Sequence, residues 1–201
     1  MRSAFFAVAF IAATFTLSGC NQSTDNGNSA SERNVASTPV SIAAIQTEAK
    51  GFTVGSPMSA RTVYVFFDSQ CPHCADLWES AKPLISQAKF VWIPVGLVSK
   101  ASTAQGATLL AATDPAAAMD AHEASMRTQQ GGISAGSDID AQRLIVEKNT
   151  ALMTRFGFSS VPTIIAKHAL TGELVTQEGS SSTAALAGLL GLQMSASQTG
   201  Q

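Results

Sequence analysis

The stretch VYVFFDSQCPHCADLW, residues 63–78, constrains this chain more than any other. Arg61 to Asp68 is rich in β-branched and aromatic residues and apolar almost throughout, the pattern of a strand buried on both faces. Cys71 and Cys74 follow directly. From Ala75 to Ala88, Leu77, Trp78, Leu84 and Ile85 fall on one side of a predicted helix, which Pro83 should kink. A strand-to-helix junction is a special place for a thiol. The helix N-terminus offers unpaired N–H groups and a partial positive charge, both of which favour a thiolate. Pro72 suits the first helical turn because its missing N–H is not needed there. His73, when protonated, adds a nearby positive charge. All three lower the pKa of Cys71. Cys74, one turn on, is placed to attack a mixed disulfide at Cys71. A lowered pKa hardly speeds attack, because nucleophilicity falls with it; it improves Cys71 as a leaving group and stabilises the reduced form.

The other uses of such a pair are weaker. A structural disulfide with a two-residue spacer closes a very small loop and removes little unfolded-state entropy. A metal site needs about four ligands. Here there are two cysteines and His73, with no second Cys-x-x-Cys, and His122 and His168 read as ordinary surface residues. No metal is expected, and no cofactor beyond a redox-active Cys71–Cys74 disulfide. Asp68 is a candidate proton shuttle or simply a strand-end carboxylate.

The N-terminal region sets the compartment. Arg2 precedes Ala4 to Leu17, a mostly apolar run too short to span a bilayer, which takes roughly 20 residues, and of signal-peptide length. Leu17-Ser18-Gly19-Cys20 resembles a bacterial lipobox, which implies cleavage after residue 19 and lipid on Cys20. Of three cysteines, that leaves the pair Cys71 and Cys74. The expected setting is the periplasm, where disulfides persist, with attachment to the membrane through the lipid. Asn21, by analogy with enteric lipoproteins, points to the outer membrane. Residues 20–50 read as a tether rich in Asn and Ser, with a reach of roughly 30 Å; within it, residues 42–50 are compatible with a short helix. A net charge of −2 with 13% charged residues gives no footprint for nucleic acid.

The folded part is expected over 51–193, followed by a tail at 194–201. GFTVG is a short strand and Phe90 to Val98 a second buried strand. A helical block over about 100–156 follows, built from TAQGATLLAA, then PAAAMDAHEASMRT with Asp114 as N-cap and Pro115 at the first helical position. A third helix runs to Phe156, capped by Asp138 or Asp140, with Leu144, Ile145, Leu152 and Phe156 inward and Gly157 as its terminator. VPTIIA, Glu173 to Gln177 and a helix over Ser182 to Leu192 close the chain. This order is β-α-β, a helical block, then β-β-α. It is an α/β chain with a mixed sheet covered by helices, and with Cys-x-x-Cys after the first central strand it has the thioredoxin arrangement with a helical insertion.

VYVFFDSQCPHCADLW, IPVGLV, LLAATDPAAAMDAHEAS with GGIS after it, and the VPTII strand together resemble the DsbC/DsbG family of periplasmic thiol:disulfide interchange proteins, the DsbG branch more closely. The likeness covers about residues 60–192. It implies a cis bond at Val161–Pro162, with Val161 and Pro162 docking an extended substrate opposite the cysteines. It also implies partners: exported cysteine-containing proteins, and a membrane thiol–disulfide electron donor or acceptor. Three features depart from the pattern. Only about 40 residues separate Cys20 from the first central strand, so the family's dimerisation domain has little room and a monomer is expected. Val161 stands where the family usually has Thr and resembles the oxidase DsbA, as does the Pro-His dipeptide. The lipid anchor is the third. The expected activity is DsbG-like exchange of disulfides or reduction of oxidised cysteines. The alternatives are DsbA-like disulfide donation and, from another class, a non-catalytic metal-binding or assembly lipoprotein.

Overall fold

A computed structural model describes residues 37–194. The leader at 1–19, the lipidation of Cys20, the tether up to residue 36 and the tail from 195 lie outside the described residues.

The centre of the fold is β2 (Thr62–Asp68). It pairs in parallel with β3 (Lys89–Val95) on one side and antiparallel with β4 (Thr163–Lys167) on the other. β1 (Phe52–Gly55) adds antiparallel to β3, and β5 (Leu174–Glu178) antiparallel to β4, giving the order β1-β3-β2-β4-β5. Val63 to Asp68 are all buried, as the continuous apolar run requires. Alternation sends Val63, Val65 and Phe67 to one face and Tyr64 and Phe66 to the other. On the first face pack α2 (Pro72–Ala81) and α6 (Thr183–Leu190). On the second pack α1 (Ile42–Glu48) and α5 (Asp140–Arg155). The insert is α3 (Ser102–Ala111), α4 (Pro115–Arg127) and α5. Trp78 of α2 and the three rings beneath it, Phe52, Phe67 and Trp92, are in edge-to-face contact, Trp78 on Trp92 at 4.9 Å and Phe67 on Trp92 at 5.7 Å among them. Burying each such ring contributes about 1.5–3 kcal/mol.

Several local expectations change. The folded part begins before residue 51: α1 lies within the stretch assigned to the tether, buries Ile45, and the chain is already tied down where Thr38 N–H donates to Arg155 O. Pro83 does not kink a long helix. It sits in a 3₁₀ turn, Lys82–Leu84, that ends α2, because the proline ring offers no N–H to continue the ladder. Neither Asp138 nor Asp140 caps α5; the cap is Ile139, and Asp138 takes a left-handed φ of 56° in the turn before it. The buried face of α5 is Val146, Asn149, Leu152 and Met153, while Leu144 is 58% exposed. Asp114 does cap α4, accepting from Ala117 N–H. Gly157 at φ 87° ends α5, its N–H bonding to Thr154 O and that of Phe158 to Met153 O.

Candidate active site

β2 delivers the chain to the N-terminus of α2, and Cys71 is the residue at the turn, its extended backbone (φ −97°, ψ 114°) capping the helix. Pro72 and His73 open the helix and face solvent; His73 Nδ1 lies 3.5 Å from Asp76 Oδ2. Cys74 is fully buried, while Cys71 keeps a 7% exposed edge. Both are free thiols. The two sulfurs are driven apart electrostatically. Cys71 is lowered from the ordinary 9.0 to about 6, first by a hydrogen bond from the Cys74 thiol, with burial opposing and the N–H groups of Cys74 and His73 and the His73 charge assisting. Cys74 is pushed up, first by burial and then by its place beside the Cys71 sulfur. One thiol is thus an accessible thiolate and the other a protected proton donor.

Across from the pair, the Val161–Pro162 peptide bond is cis. The Val161 carbonyl lies 3.4 Å from Cys71 Sγ, within reach of its thiol proton. Glu178 holds this loop, accepting from Ser160 N–H at 3.1 Å and from its hydroxyl at 2.6 Å, and Gly179 N–H donates to Pro162 O.

Asp68 is fully buried. Its carboxylate accepts the N–H groups of Gln70 at 2.8 Å, Leu97 at 2.7 Å and Val98 at 2.9 Å, and so ties the loop after β3 to the cysteine turn. Its own N–H points at Cys74 Sγ, 3.4 Å away. The geometry makes Asp68 a strap for two loops, its oxygens engaged by backbone.

The insert supplies residues that the sequence reading did not place at the site. His122, expected at the surface, is fully buried. Its Nε2–H donates to Ser69 O at 2.6 Å, and Nδ1 accepts from Ile133 N–H at 3.1 Å, which fixes the neutral tautomer. Burial lowers its pKa accordingly. The GGIS loop closes on this ring: at Gly132, φ 84°, a Cβ would fall 2.3 Å from it. Gln105 donates to the carbonyls of Gly131 and Ile133 and accepts from Gln70, next to Cys71. Trp78 Nε1–H donates to Asp120 at 2.8 Å, joining α2 to α4. His168 is half-buried at the far end of the sheet, where Nδ1 accepts from Thr171 N–H. A signal for His122 was present. Met119, His122, Glu123 and Met126 fall at i, i+3, i+4 and i+7, the inward stripe of a helix.

Comparison with known proteins agrees with this geometry. The thioredoxin family model matches residues 47–142. The thiol:disulfide interchange protein DsbG of Pseudomonas aeruginosa is 33% identical over 143 residues, 68% of this chain and 54% of that protein. DsbG of Escherichia coli is 32% identical over 104 residues, 51% of this chain and 42% of that protein. The chain therefore spans about half the length of the curated relatives it matches. Among solved structures, Pseudomonas aeruginosa DsbA2 superposes with a TM-score of 0.58 at 18% identity, over 71% of this chain and 93% of that one, a likeness of fold. A parallel β2–β3 pair feeding Cys71 into a helix, a cis bond facing it, and relatives of this kind together give the chain a thioredoxin-like fold and make it similar to the DsbG proteins over about half their length.

Proposed function

We propose that the chain is a thiol:disulfide oxidoreductase acting on cysteines of exported proteins, with Cys71 as the exchanging sulfur. The observation that carries this reading is the partly exposed Cys71 thiolate at the N-terminus of α2, opposite the Val161 carbonyl. An extended substrate running along Val161 and Pro162 brings its sulfur to Cys71. The thiolate attacks, a mixed disulfide forms, and the substrate's second sulfur leaves. Cys74 then attacks Cys71, releases the substrate as a thiolate and closes the disulfide; a membrane thiol–disulfide partner resets the pair. The lipobox at Cys20 would hold this chemistry in the periplasm.

The size of the Cys71 shift bears on the direction. At pH 7 a thiol with a pKa of about 6 is roughly 90% ionised. Relative to an ordinary thiol this stabilises the reduced form by about 1.4 kcal/mol, or about 30 mV for a two-electron couple. Raising Cys74 adds nothing, since it is protonated at pH 7 in any case. Thirty millivolts or so is small beside the ~150 mV between thioredoxin and DsbA. That favours DsbG-like exchange and reduction. The lowered Cys71 value and Val161 lend some support to DsbA-like donation, the second reading.

Insulin reduction driven by dithiothreitol tests the activity. The wild-type chain turns over, Cys71→Ser does not, and Cys74→Ser accumulates mixed disulfide. Full turnover by Cys71→Ser would overturn the proposal, and stoichiometric metal retained by wild type but not by that variant would favour a metal-binding lipoprotein.

A further inference from the structure

Glu123 is a carboxyl group with 1% exposure, and its Oε1 has no hydrogen-bond partner. On a helix, residues three and four apart share a face. Of its neighbours at that spacing, Asp120 bonds Trp78 and Lys82, Met119 joins the apolar cluster of Cys71 and Cys74, Met126 touches Gln70, and Arg127 bonds Glu79. That face of α4 lies against the cysteine turn and α2. Glu123 is centred on it, with an oxygen free. Its helix neighbour Arg127 is engaged by Glu79 at 3.0 Å.

We propose that Glu123 carries a proton that follows the redox state of the Cys71–Cys74 pair, held while Cys71 is a thiolate and released when the pair closes to a disulfide. The inference rests on the pair being redox-active. Burial pushes the Glu123 carboxyl up to about 8; Arg127 opposes this, and the negative charges of Cys71, Glu79 and Asp76 add to it. Closing the disulfide removes the Cys71 charge, and a like charge removed lets a carboxyl ionise more readily. The other groups facing this region from α2 and the turn after it are Cys74, His73 and Lys82, with the amide-bound Asp68 behind. From α4 itself come Asp120 and the neutral His122. β1 and α3, also packed on α4, bring no titratable side chain, and the loop after α4 brings only the exposed Asp138.

The balance closes. A substrate disulfide takes two electrons from the pair and leaves as two thiolates. Cys74 loses its proton as its sulfur bonds to Cys71, and Glu123 loses the second. The two protons match the two thiolates.

The full chain, cycled between oxidised and reduced glutathione near pH 7, tests this by reduced-minus-oxidised infrared difference spectroscopy. Wild type should gain a protonated-carboxyl band on reduction, and Glu123→Gln should lack it. The pH dependence of the reduction potential should show wild type taking up nearer two protons per two electrons, and Glu123→Gln nearer one. A carboxyl signal identical in both redox states of wild type, or unchanged in Glu123→Gln, overturns the inference. The wild-type spectrum decides the matter alone if the variant does not fold. A pair that glutathione cannot cycle sinks the oxidoreductase reading as well; one that cycles with a static carboxyl sinks only this inference.

Discussion

The sheet and the helical insert bury different chemistry. Val63 to Phe67 of β2 are apolar or aromatic and packed on both faces. The insert buries Ser102, Gln105, His122, Glu123 and Asn149. The sheet forms the apolar centre of the core and places Cys71 at the end of β2. The insert surrounds that position with fixed polar groups: His122 and Gln105 hold the turn before Cys71, and Glu123 faces the pair. A mutation in the sheet can therefore cost stability without altering the titration of Cys71.

The largest expected effect is in the sheet. Phe67→Ala removes a fully buried ring in contact with Phe52 and Trp92 and should cost about 3–5 kcal/mol in urea unfolding. The protein that remains folded should titrate Cys71 as before; a shifted titration would break the separation.

Glu123→Gln comes next, and its signature is a dependence on pH. With a folded value of about 8 against an ordinary 4.5, folded Glu123 keeps a proton that the unfolded chain releases. Its contribution to stability is full below 4.5 and is lost as pH rises to about 8, a fall of roughly 4–5 kcal/mol. Cys71 works in the opposite sense, adding stability as pH rises from about 6 to 9.0. From pH 5 to 6 reduced wild type should therefore lose stability relative to Glu123→Gln. Glu123→Gln should gain stability with rising pH there, through His122, and above pH 6 through Cys71.

His122→Ala leaves Ser69 O and Ile133 N–H without their partner, at about 1–3 kcal/mol. His122 is held below its ordinary 6.5 by burial. The stability tied to it is full above that value and is lost as pH falls through the folded one. Thermal scans of the variant should lack this acid loss, and its Cys71 should alkylate at an altered rate.

The smallest effect is at the surface. Arg155→Ala removes a half-exposed pair with Glu48 that joins α1 to α5 and should cost less than ~1 kcal/mol, less still in salt. A larger loss would mean that α1 docks through charge rather than through Ile45.

The sheet was the legible half, because its pattern is local. A continuous apolar run means a strand buried on both sides, and a cysteine after it at a helix start is constrained by backbone chemistry alone. Asp114-Pro115 and Gly157 were legible for the same reason: caps are set by a few adjacent residues. The insert was harder. His122 and Glu123 look like surface residues of a polar helix until α2 and the GGIS loop cover them. Asn149 is buried because its amide bonds Lys50 and Pro94, distant in sequence, while the apolar Leu144 is left outside. Ile45 lies just beyond a low-complexity run, and only packing on α5 and the sheet orders it.

The most direct measurement is the Cys71–Cys74 reduction potential of the full chain, by equilibration with glutathione at pH 7. A value of about −200 to −250 mV is expected, from a modestly stabilised thiolate in a pair suited to exchange and reduction. A value near about −120 mV would contradict it, because the reduced form would then be stabilised far beyond what the Cys71 thiolate supplies.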